Sequence, residues 1–441
     1  MLFIAIAALF IGISLSRISA VSRASTLASQ LRGAMPAAES SSQFAERVRF
    51  FEERLARNPD DIDILNSLST FYLQRLRETG SFSDLDLARR ASRRSLHVVP
   101  PIHNVQGVMS RASSEFASHE FAAARDDAQL LTHLEGNGTP YALLGDAEAE
   151  LGNYQAAERA YAHLRRVAGE SDENVATRTA RMALLRGAND AAKSSFSRAL
   201  AIELARVSPS RELVAWYAWQ LGDIGFFTGD YAGARVQYEN ALSVYPGYFR
   251  ALASRGRLDA AEHQPARAIA DYAAAIEKLP DPTFVAELGD VYAVAGDHAA
   301  AQREYDFVDA IGHLSVVNGV MYNRQLVMFD ADHDRHALQA FRLAQREYET
   351  RRDILGADAV AWTAFKAGKI TEAARAMHAA LRMGTRDPRL LFHAGLIAQS
   401  QGKIRVARSY LTDALHLSPE FDPLQASVAR RTLHRLGGPL T

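Results

Sequence analysis

A ladder of alanines divides this chain into segments of nearly equal length. Ala234 is followed four residues later by Tyr238 and seven residues later by Ala241, and Gly229 precedes it by five. Its counterparts recur about every 34 residues, with one longer gap before Ala234, and such a period is typical of stacked helix–turn–helix units. They are Ala88, Ala124, Ala157, Ala192, Ala268, Ala301, Ala337, Ala373 and Ala407. The pattern predicts a chain that grows along an axis, because each unit contacts only its neighbours.

Each position of the unit has a physical reason. Residues at i, i+4 and i+7 share one helical face, so small Ala234 and Ala241 let a second helix approach while Tyr238 fills the gap. Gly229 ends the first helix, because glycine adopts a left-handed backbone without steric cost. Pro246 closes the unit, since proline cannot continue a helix. Alanine, leucine and arginine recur and β-branched runs are few, which also predicts an all-α chain.

The chain resembles the tetratricopeptide repeat (TPR) family, in a bacterial form with an N-terminal signal or anchor. The unit with the best match carries Leu221, Gly222, Tyr231, Ala234, Tyr238, Ala241 and Pro246. Two others match through Gly145, Gly152, Tyr154, Ala157 and Tyr161, and through Gly289, Tyr292, Gly296, Ala301 and Tyr305. The resemblance implies a right-handed α-solenoid, a TPR superhelix of about ten repeats with helical caps.

Interruptions of the repeat suggest domain limits. We expect a signal peptide or membrane anchor at 1–20, a linker at 21–42, a less regular stack at 43–205, a second stack at 206–423 and a capping helix and tail at 424–441. The limit near Ala205 rests on the loop at Ser208-Pro209-Ser210. An insertion near Glu78 to Asp84 is expected to lengthen one turn, and the polar run from Asn318 to Gln325 to make one first helix unusual.

Leu2 to Ser16 is an uncharged apolar stretch. As a helix it would span about 22 Å, short of the roughly 30 Å hydrocarbon core, so it fits the apolar region of a signal peptide. We expect export to the periplasm or cell envelope. The alternative is an inner-membrane anchor that keeps the repeats in the cytoplasm, because Arg17, Arg23 and Arg32 follow the apolar stretch.

Composition limits the chemistry. The formal net charge is −1 and the pI about 6.9, so the sequence predicts no nucleic-acid partner. The chain has no cysteine, which excludes disulfides, thiol catalysis and cysteine-ligated metals. The spacing of Asp330, Asp332 and Asp334 matches the first ligand positions of a calcium-binding loop. Arg335 and Phe341, however, occupy the positions at which such a loop needs glycine and glutamate. We therefore expect helix-capping acids in a turn, with no metal and no cofactor.

The remaining chemistry is surface recognition. In the TPR family the first helices line the concave face, and register places ten residues of this chain there. They are Trp216, Trp219, Asp223, Phe226, Arg250, Arg257, Asp290, Trp362, Phe365 and Phe392. Aromatic residues and arginine are favoured at binding hot spots, although Trp216, Trp219 or Phe226 could instead pack between helices. The family's carboxylate clamp of lysines and asparagines is not matched here.

The sequence thus predicts a non-catalytic scaffold that binds a protein or peptide in the cell envelope, tethered or exported through residues 2–16. Two alternatives stay open. One is a metal-binding or enzymatic protein that uses the repeats as a frame, and the other is a structural component of an envelope assembly.

Overall fold

The computed structural model describes residues 41–318 and 323–438, and in these two ranges the regular structure is entirely helical. The described residues contain 22 α-helices, of which 20 form ten antiparallel pairs and two, α1 (Ser41–Arg57) and α22 (Gln425–Arg435), are caps. The predicted all-α fold of about ten repeats with helical caps is confirmed. In nine of the ten pairs the two helices contact each other more extensively than helices of different pairs do, the exception being Asn323–Asp332 with Ala337–Thr350, as expected for a stack of hairpins.

The pairs follow one another along the chain. The first five are α2 (Ile62–Thr79) with α3 (Phe82–Val98), α4 (Val105–Ala117) with α5 (Phe121–Leu134), α6 (Thr139–Glu150) with α7 (Tyr154–Ala168), α8 (Glu173–Leu185) with α9 (Asn189–Leu204), and α10 (Arg211–Phe227) with α11 (Tyr231–Val244). The second five are α12 (Phe249–Ala261) with α13 (Pro265–Lys278), α14 (Pro282–Val294) with α15 (His298–Asn318), α16 (Asn323–Asp332) with α17 (Ala337–Thr350), α18 (Ile354–Lys366) with α19 (Ile370–Ala380), and α20 (Pro388–Ser400) with α21 (Ile404–Leu417).

The alanine ladder forms the packed seam of every pair but one; Ala337 is only half-buried, and Ala340 is buried in its place. Ala234, Tyr238 and Ala241 of α11 have no exposed surface. A Cβ at Gly222 of α10 would overlap the ring of Tyr238, so glycine is what allows this aromatic ring to lie against the facing helix. The same close approach recurs between Gly145 and Tyr161 and between Gly289 and Tyr305. Sequence and packing therefore agree about which face each helix buries.

The first helices form the inner layer of the stack. First helices of neighbouring pairs contact one another at every step except that from α8 to α10, whereas second helices of neighbouring pairs make few contacts. The first helices therefore lie on the narrower, concave side, because shorter separations between repeats occur only on the inside of a curve.

The curvature winds the chain into a superhelix whose successive turns touch. The short connection between the two helices of one pair contacts the chain five pairs further on, at the end of that later pair. Gly152 lies against Arg352, Gly187 against Gly384, and Gly229 against Leu417. Thr385 also donates a hydrogen bond to the carbonyl oxygen of Leu185. The ten pairs thus make about two turns in mutual contact.

Three expected interruptions have specific structures. The residues near Glu78 lengthen α2 to Thr79 instead of lengthening the turn, which is only Gly80-Ser81, so that expectation was wrong. At the Pro209 loop one hydrophobic cluster contains Ala176 and Val244 and is continuous across the expected domain limit. The predicted unusual first helix is α16, the shortest α-helix among the described residues.

A helix covers each end of the stack. Phe44 and Val48 of α1 pack on α2, and Leu433 of α22 closes the last hydrophobic cluster. No helix in the described ranges combines the length and apolar character that crossing a bilayer requires. The apolar stretch from Leu2 to Ser16 lies outside the described residues.

Candidate functional site

Two adjoining cavities lie inside the superhelix. The first, the inner cavity, has a volume of about 440 Å³ and is lined mainly by α14, α16, α17, α20 and the start of α22. The second, the inter-turn cavity, has a volume of about 800 Å³ and lies where α2 and α3 face α12 and the loop after α13. His119 and Gln325 line both cavities, so the two cavities adjoin at these side chains, and we call them together the interior channel.

A tyrosine–carboxylate pair recurs between the two helices of several pairs, and one of its carboxylates, Asp290, lines the inner cavity. Tyr161 donates to Asp146 at 2.8 Å, Tyr238 to Asp223 at 2.7 Å, and Tyr305 to Asp290 at 2.8 Å. In each case the acid directly follows the glycine that admits the tyrosine ring. The ladder aromatic therefore serves packing with its ring and holds a carboxylate on the concave face with its hydroxyl.

One end of the inner cavity, which we call the acidic end, collects four carboxylates: Glu287, Asp290, Asp332 and Asp422. Asp290 accepts a hydrogen bond of 2.8 Å from His333 Nε2. Its burial, which outweighs this bond, raises the pKa of Asp290 to about 6, and the nearby charge of Asp422 acts in the same direction. Burial and Asp422 also raise the pKa of Asp332. The carboxylates of the acidic end are close enough to repel one another.

Arg389 lies between these acids without neutralising them. It contacts Glu287 at 3.1 Å and Asp422 at 3.5 Å. His393 bonds through Nδ1 to Asp358 at 3.0 Å; burial lowers the pKa of His393, but the surrounding carboxylates raise it more. Three buried side-chain atoms in this wall, Arg389 Nε, His393 Nε2 and Gln425 Oε1, have no hydrogen-bond partner.

The opposite end of the inner cavity is charge-balanced. Arg324 contacts Glu347 and Asp353, both at 3.1 Å, and Arg351 contacts Glu150 at 2.5 Å across the turns of the superhelix. His119 lies at this end. Loss of hydration of its imidazole ring in the channel wall, followed by the charge of Arg351, lowers the pKa of His119 to about 4.

The inter-turn cavity contains the most accessible of the ten predicted residues. Arg250 is exposed and lines the cavity. Its guanidinium lies 5.4 Å from the ring centroid of Trp219 and 5.1 Å from that of Phe249, which is cation–π geometry. Trp219 is half-buried and donates through Nε1 to Ser254 at 2.9 Å. Arg250 and Trp219 thus form an exposed aromatic–guanidinium patch.

Three predicted residues belong to the core. Phe226, Trp362 and Phe392 are 0%, 2% and 2% exposed, because each fills the space between a first helix and its neighbours. Trp362 donates through Nε1 to Asp332 at 2.7 Å and stacks on His393 at 4.2 Å. Trp362 therefore packs behind the acidic end and holds Asp332 and His393 in place. None of the three core side chains is accessible to a partner.

The other predicted residues are partly covered. Arg257 contacts Asp223 at 2.9 Å and lies 4.9 Å from the rings of Phe226 and Phe227. Its guanidinium is held inside an ion-pair network. Trp216 packs edge-on against Phe196. Phe365 is half-buried and stacked on Trp362, and Asp290 alone of the ten lies in the acidic end.

The acids of the Asp330 turn point to different partners. Asp330 contacts His336 at 3.2 Å, and Asp334 contacts Lys366 at 2.7 Å. Asp332 turns inward to Gln425 at 2.5 Å. Within residues 41–318 and 323–438, no three histidine or acidic side chains converge as metal ligands would.

Sequence reasoning missed several residues of the acidic end, including Glu287, Arg389, His393, Asp422 and Gln425. They come from α14, α20 and the residues around the last cap, which only the winding of the superhelix brings together. The sequence predicts Asp332 only as one of the helix-capping acids of a turn. The repeated Gly-Asp pair, with a tyrosine 15 residues after the acid, was the one local signal for buried carboxylates.

Comparison with known protein families finds the same kind of repeat in part of the chain. A family model described as "Tetratricopeptide repeat" matches residues 254–306 and 360–420, so these two segments are similar to tetratricopeptide repeats. No curated protein matches the chain.

Solved structures with similarity to the chain include three of low identity. A tetratricopeptide repeat protein from Parabacteroides merdae is 18% identical and covers 61% of this chain and 100% of its own, with a TM-score of 0.34. The APC/C hetero-tetramer Cut9–Hcn1 is 12% identical over 90% of this chain and 94% of its own, with a TM-score of 0.34. Yeast Tom70 is 14% identical over 94% and 96%, with a TM-score of 0.33.

Proposed function

We propose that this protein is a non-catalytic scaffold whose repeats bind a segment of a partner protein or peptide in the interior channel. The observation that carries the proposal is the channel itself. Side chains from both turns of the superhelix line it, and an exposed arginine stacked on a tryptophan lies on its wall. Arginine and tryptophan are the residues most enriched at binding hot spots.

The dimensions of the channel favour a chain over a compact ligand. The two cavities join at His119 and Gln325, and their walls change from charged at the acidic end to mixed apolar and polar at Leu279 and Phe249. A peptide can place side chains of different character along such a path, because successive residues of an extended chain are about 3.3 Å apart.

The test is selection of peptides from a displayed library on the immobilised full chain, followed by calorimetry with the selected peptide. The variant Arg250→Ala with Gln325→Ala removes two contacts of the channel, and we expect it to weaken binding by about tenfold or more. The matched control is Arg198→Ala with Gln302→Ala, two exposed residues on the second helices α9 and α15. Equal affinities for wild type and the channel variant would refute binding in the channel.

We also propose that the scaffold acts in the cell envelope, exported or tethered through residues 2–16. The support is the uncharged stretch Leu2 to Ser16 and the linker-like composition up to Ser42. A reporter enzyme fused after Ser42 should be active only outside the cytoplasm. Activity confined to a cytoplasmic reporter would instead assign the repeats to the cytoplasmic side of the membrane.

A further inference from the structure

The network of charged side chains in and around the acidic end of the inner cavity contains more carboxylates than basic groups. Two guanidiniums, Arg257 and Arg389, and two imidazoles, His333 and His393, are paired with its carboxylates or adjoin them. The carboxylates in this network are Asp223, Glu287, Asp290, Asp332, Asp358, Asp387 and Asp422. Seven acids thus face four basic groups, and the acids remain in excess even when both imidazoles are protonated.

The excess is local to the acidic end. At the opposite end Arg324, Arg351 and Arg181 are matched by Glu150, Glu347 and Asp353. A buried carboxylate without a cation is costly. An anionic ligand would add to this cost, whereas a cation would reduce it.

A buried acceptor points to a ligand with an N–H donor. Gln425 is 7% exposed and lines the cavity. Its Nε2 is committed to Asp332. Its Oε1 is an acceptor and lacks a partner, which is unusual for a buried group.

The spacing of the acids selects the kind of cation. No three acidic or histidine side chains of the described residues are close enough to share a metal ion. A cavity of about 440 Å³ with dispersed acceptors suits an organic cation that presents several N–H groups in different directions.

We propose that the acidic end binds an organic cation, a guanidinium or alkylammonium group, that bonds to Asp290, Asp422 and Gln425 Oε1. The cation has two possible sources: an arginine or lysine side chain of a bound peptide, or a free amine. The peptide source rests on the proposed scaffold function, whereas the free amine does not.

The variant Asp290→Asn with Asp422→Asn removes two charges and keeps the hydrogen bonds of the fold. Asp422 accepts from the main-chain N–H groups of Leu424 and Gln425, both at 2.9 Å, and asparagine caps helices as well as aspartate. The matched control is Asp172→Asn. Asp172 makes the same pair of capping bonds, to Asn174 and Val175 at the start of α8, outside the cavity.

The probes are agmatine, as a free guanidinium, and the blocked peptide Gly-Ser-Arg-Ser-Gly with its uncharged citrulline analogue. Calorimetry should show binding of agmatine, of the arginine peptide or of both, with the citrulline peptide at least about tenfold weaker than the arginine peptide. The double variant should lose about 10- to 100-fold in affinity, and Asp172→Asn should bind as wild type. Agmatine should also shift the ¹⁵N resonance of His393 Nε2.

Circular dichroism and thermal melting establish that the double variant is folded. If that variant is unstable, Asp422→Asn alone and the His393 resonance keep the test decisive. No binding of either cation at millimolar concentration, or equal binding by wild type and the charge variants, overturns the proposal. Binding of agmatine with no binding of any peptide supports the cation site and overturns the scaffold function. A selected peptide whose affinity is the same with arginine as with citrulline supports the scaffold function and overturns the cation site.

Discussion

The hydroxyl oxygen of Tyr154 accepts a hydrogen bond of 2.8 Å from the main-chain N–H of Ile354, 200 residues later in the chain. Ile354 begins α18, and the first N–H groups of a helix have no partner inside the helix. A side chain of the first superhelical turn therefore satisfies a helix terminus of the second. Beside it, Arg351 reaches Glu150, and Arg382 lies 5.1 Å from the centroid of the Tyr154 ring. The two turns are joined by specific contacts.

Removing this bond should weaken the contact between turns. Tyr154→Phe keeps the ring and leaves the buried N–H of Ile354 unpaired, which costs about 1 to 3 kcal/mol. Urea denaturation followed by circular dichroism measures the loss in free energy of unfolding. The control is Tyr141→Phe, whose ring stacks on His163 within one helix pair. Equal stability of Tyr154→Phe and wild type would show that the hydroxyl does not hold the turns together.

Two glycines in the connections between helices distinguish the energetic cost of backbone strain from the contribution of contact between superhelical turns. Gly152 and Gly402 share the left-handed backbone, with φ of 78° and 72°, so alanine costs roughly 1 to 2 kcal/mol at either position. Only at Gly152 would the added Cβ overlap the carbonyl of Arg352; at Gly402 it meets nothing within 4 Å. Gly152→Ala should therefore be the more destabilising and should expand the molecule. Small-angle X-ray scattering gives the radius of gyration, and equal radii for the two variants would contradict contact between turns.

The sequence specifies the repeats but not their winding. Ala234 and Tyr238 act within one pair, and their spacing of four residues shows that they share a helical face. The contact of Gly152 with Arg352 depends on a small rotation per repeat added over five pairs, and no residue encodes it locally. For the same reason, register could place Trp362 on a first helix but could not show that a neighbouring helix covers it.

The ionisation of Asp290 should make cation binding pH-dependent. Burial raises the pKa of Asp290 to about 6, and Asp422 adds to the rise, while His333 and Tyr305 oppose it. As pH falls through 6, Asp290 takes up a proton and loses the charge that attracts the cation. Agmatine affinity should therefore fall towards pH 5, by at most about tenfold per pH unit for this proton. Calorimetry of Asp290→Asn should give a flatter pH profile, and an affinity that rises on acidification would contradict the assignment.

His119 should stay uncharged at pH values where an ordinary histidine is protonated. Its place in the channel wall and the charge of Arg351 lower its pKa to about 4. In an NMR titration its ring resonances should therefore be constant between pH 7 and about 5. Arg351→Gln removes the nearby positive charge and should raise the pKa. A His119 resonance that titrates near the ordinary value in wild type would contradict this environment.

Replacing the two arginines predicted for the concave face should affect the stability of the fold differently, because only Arg257 belongs to an ion-pair network. Arg257 is 11% exposed and contacts Asp223 at 2.9 Å and Glu287 at 3.9 Å. Arg257→Ala leaves these buried carboxylates without that guanidinium, which costs about 3 to 5 kcal/mol. Arg250 is exposed, so Arg250→Ala should change stability by no more than about 0.5 kcal/mol while weakening a channel ligand. Thermal melting distinguishes the two: equal melting temperatures would mean that the Arg257 network does not stabilise the fold, and only then would Arg257 be available to a partner.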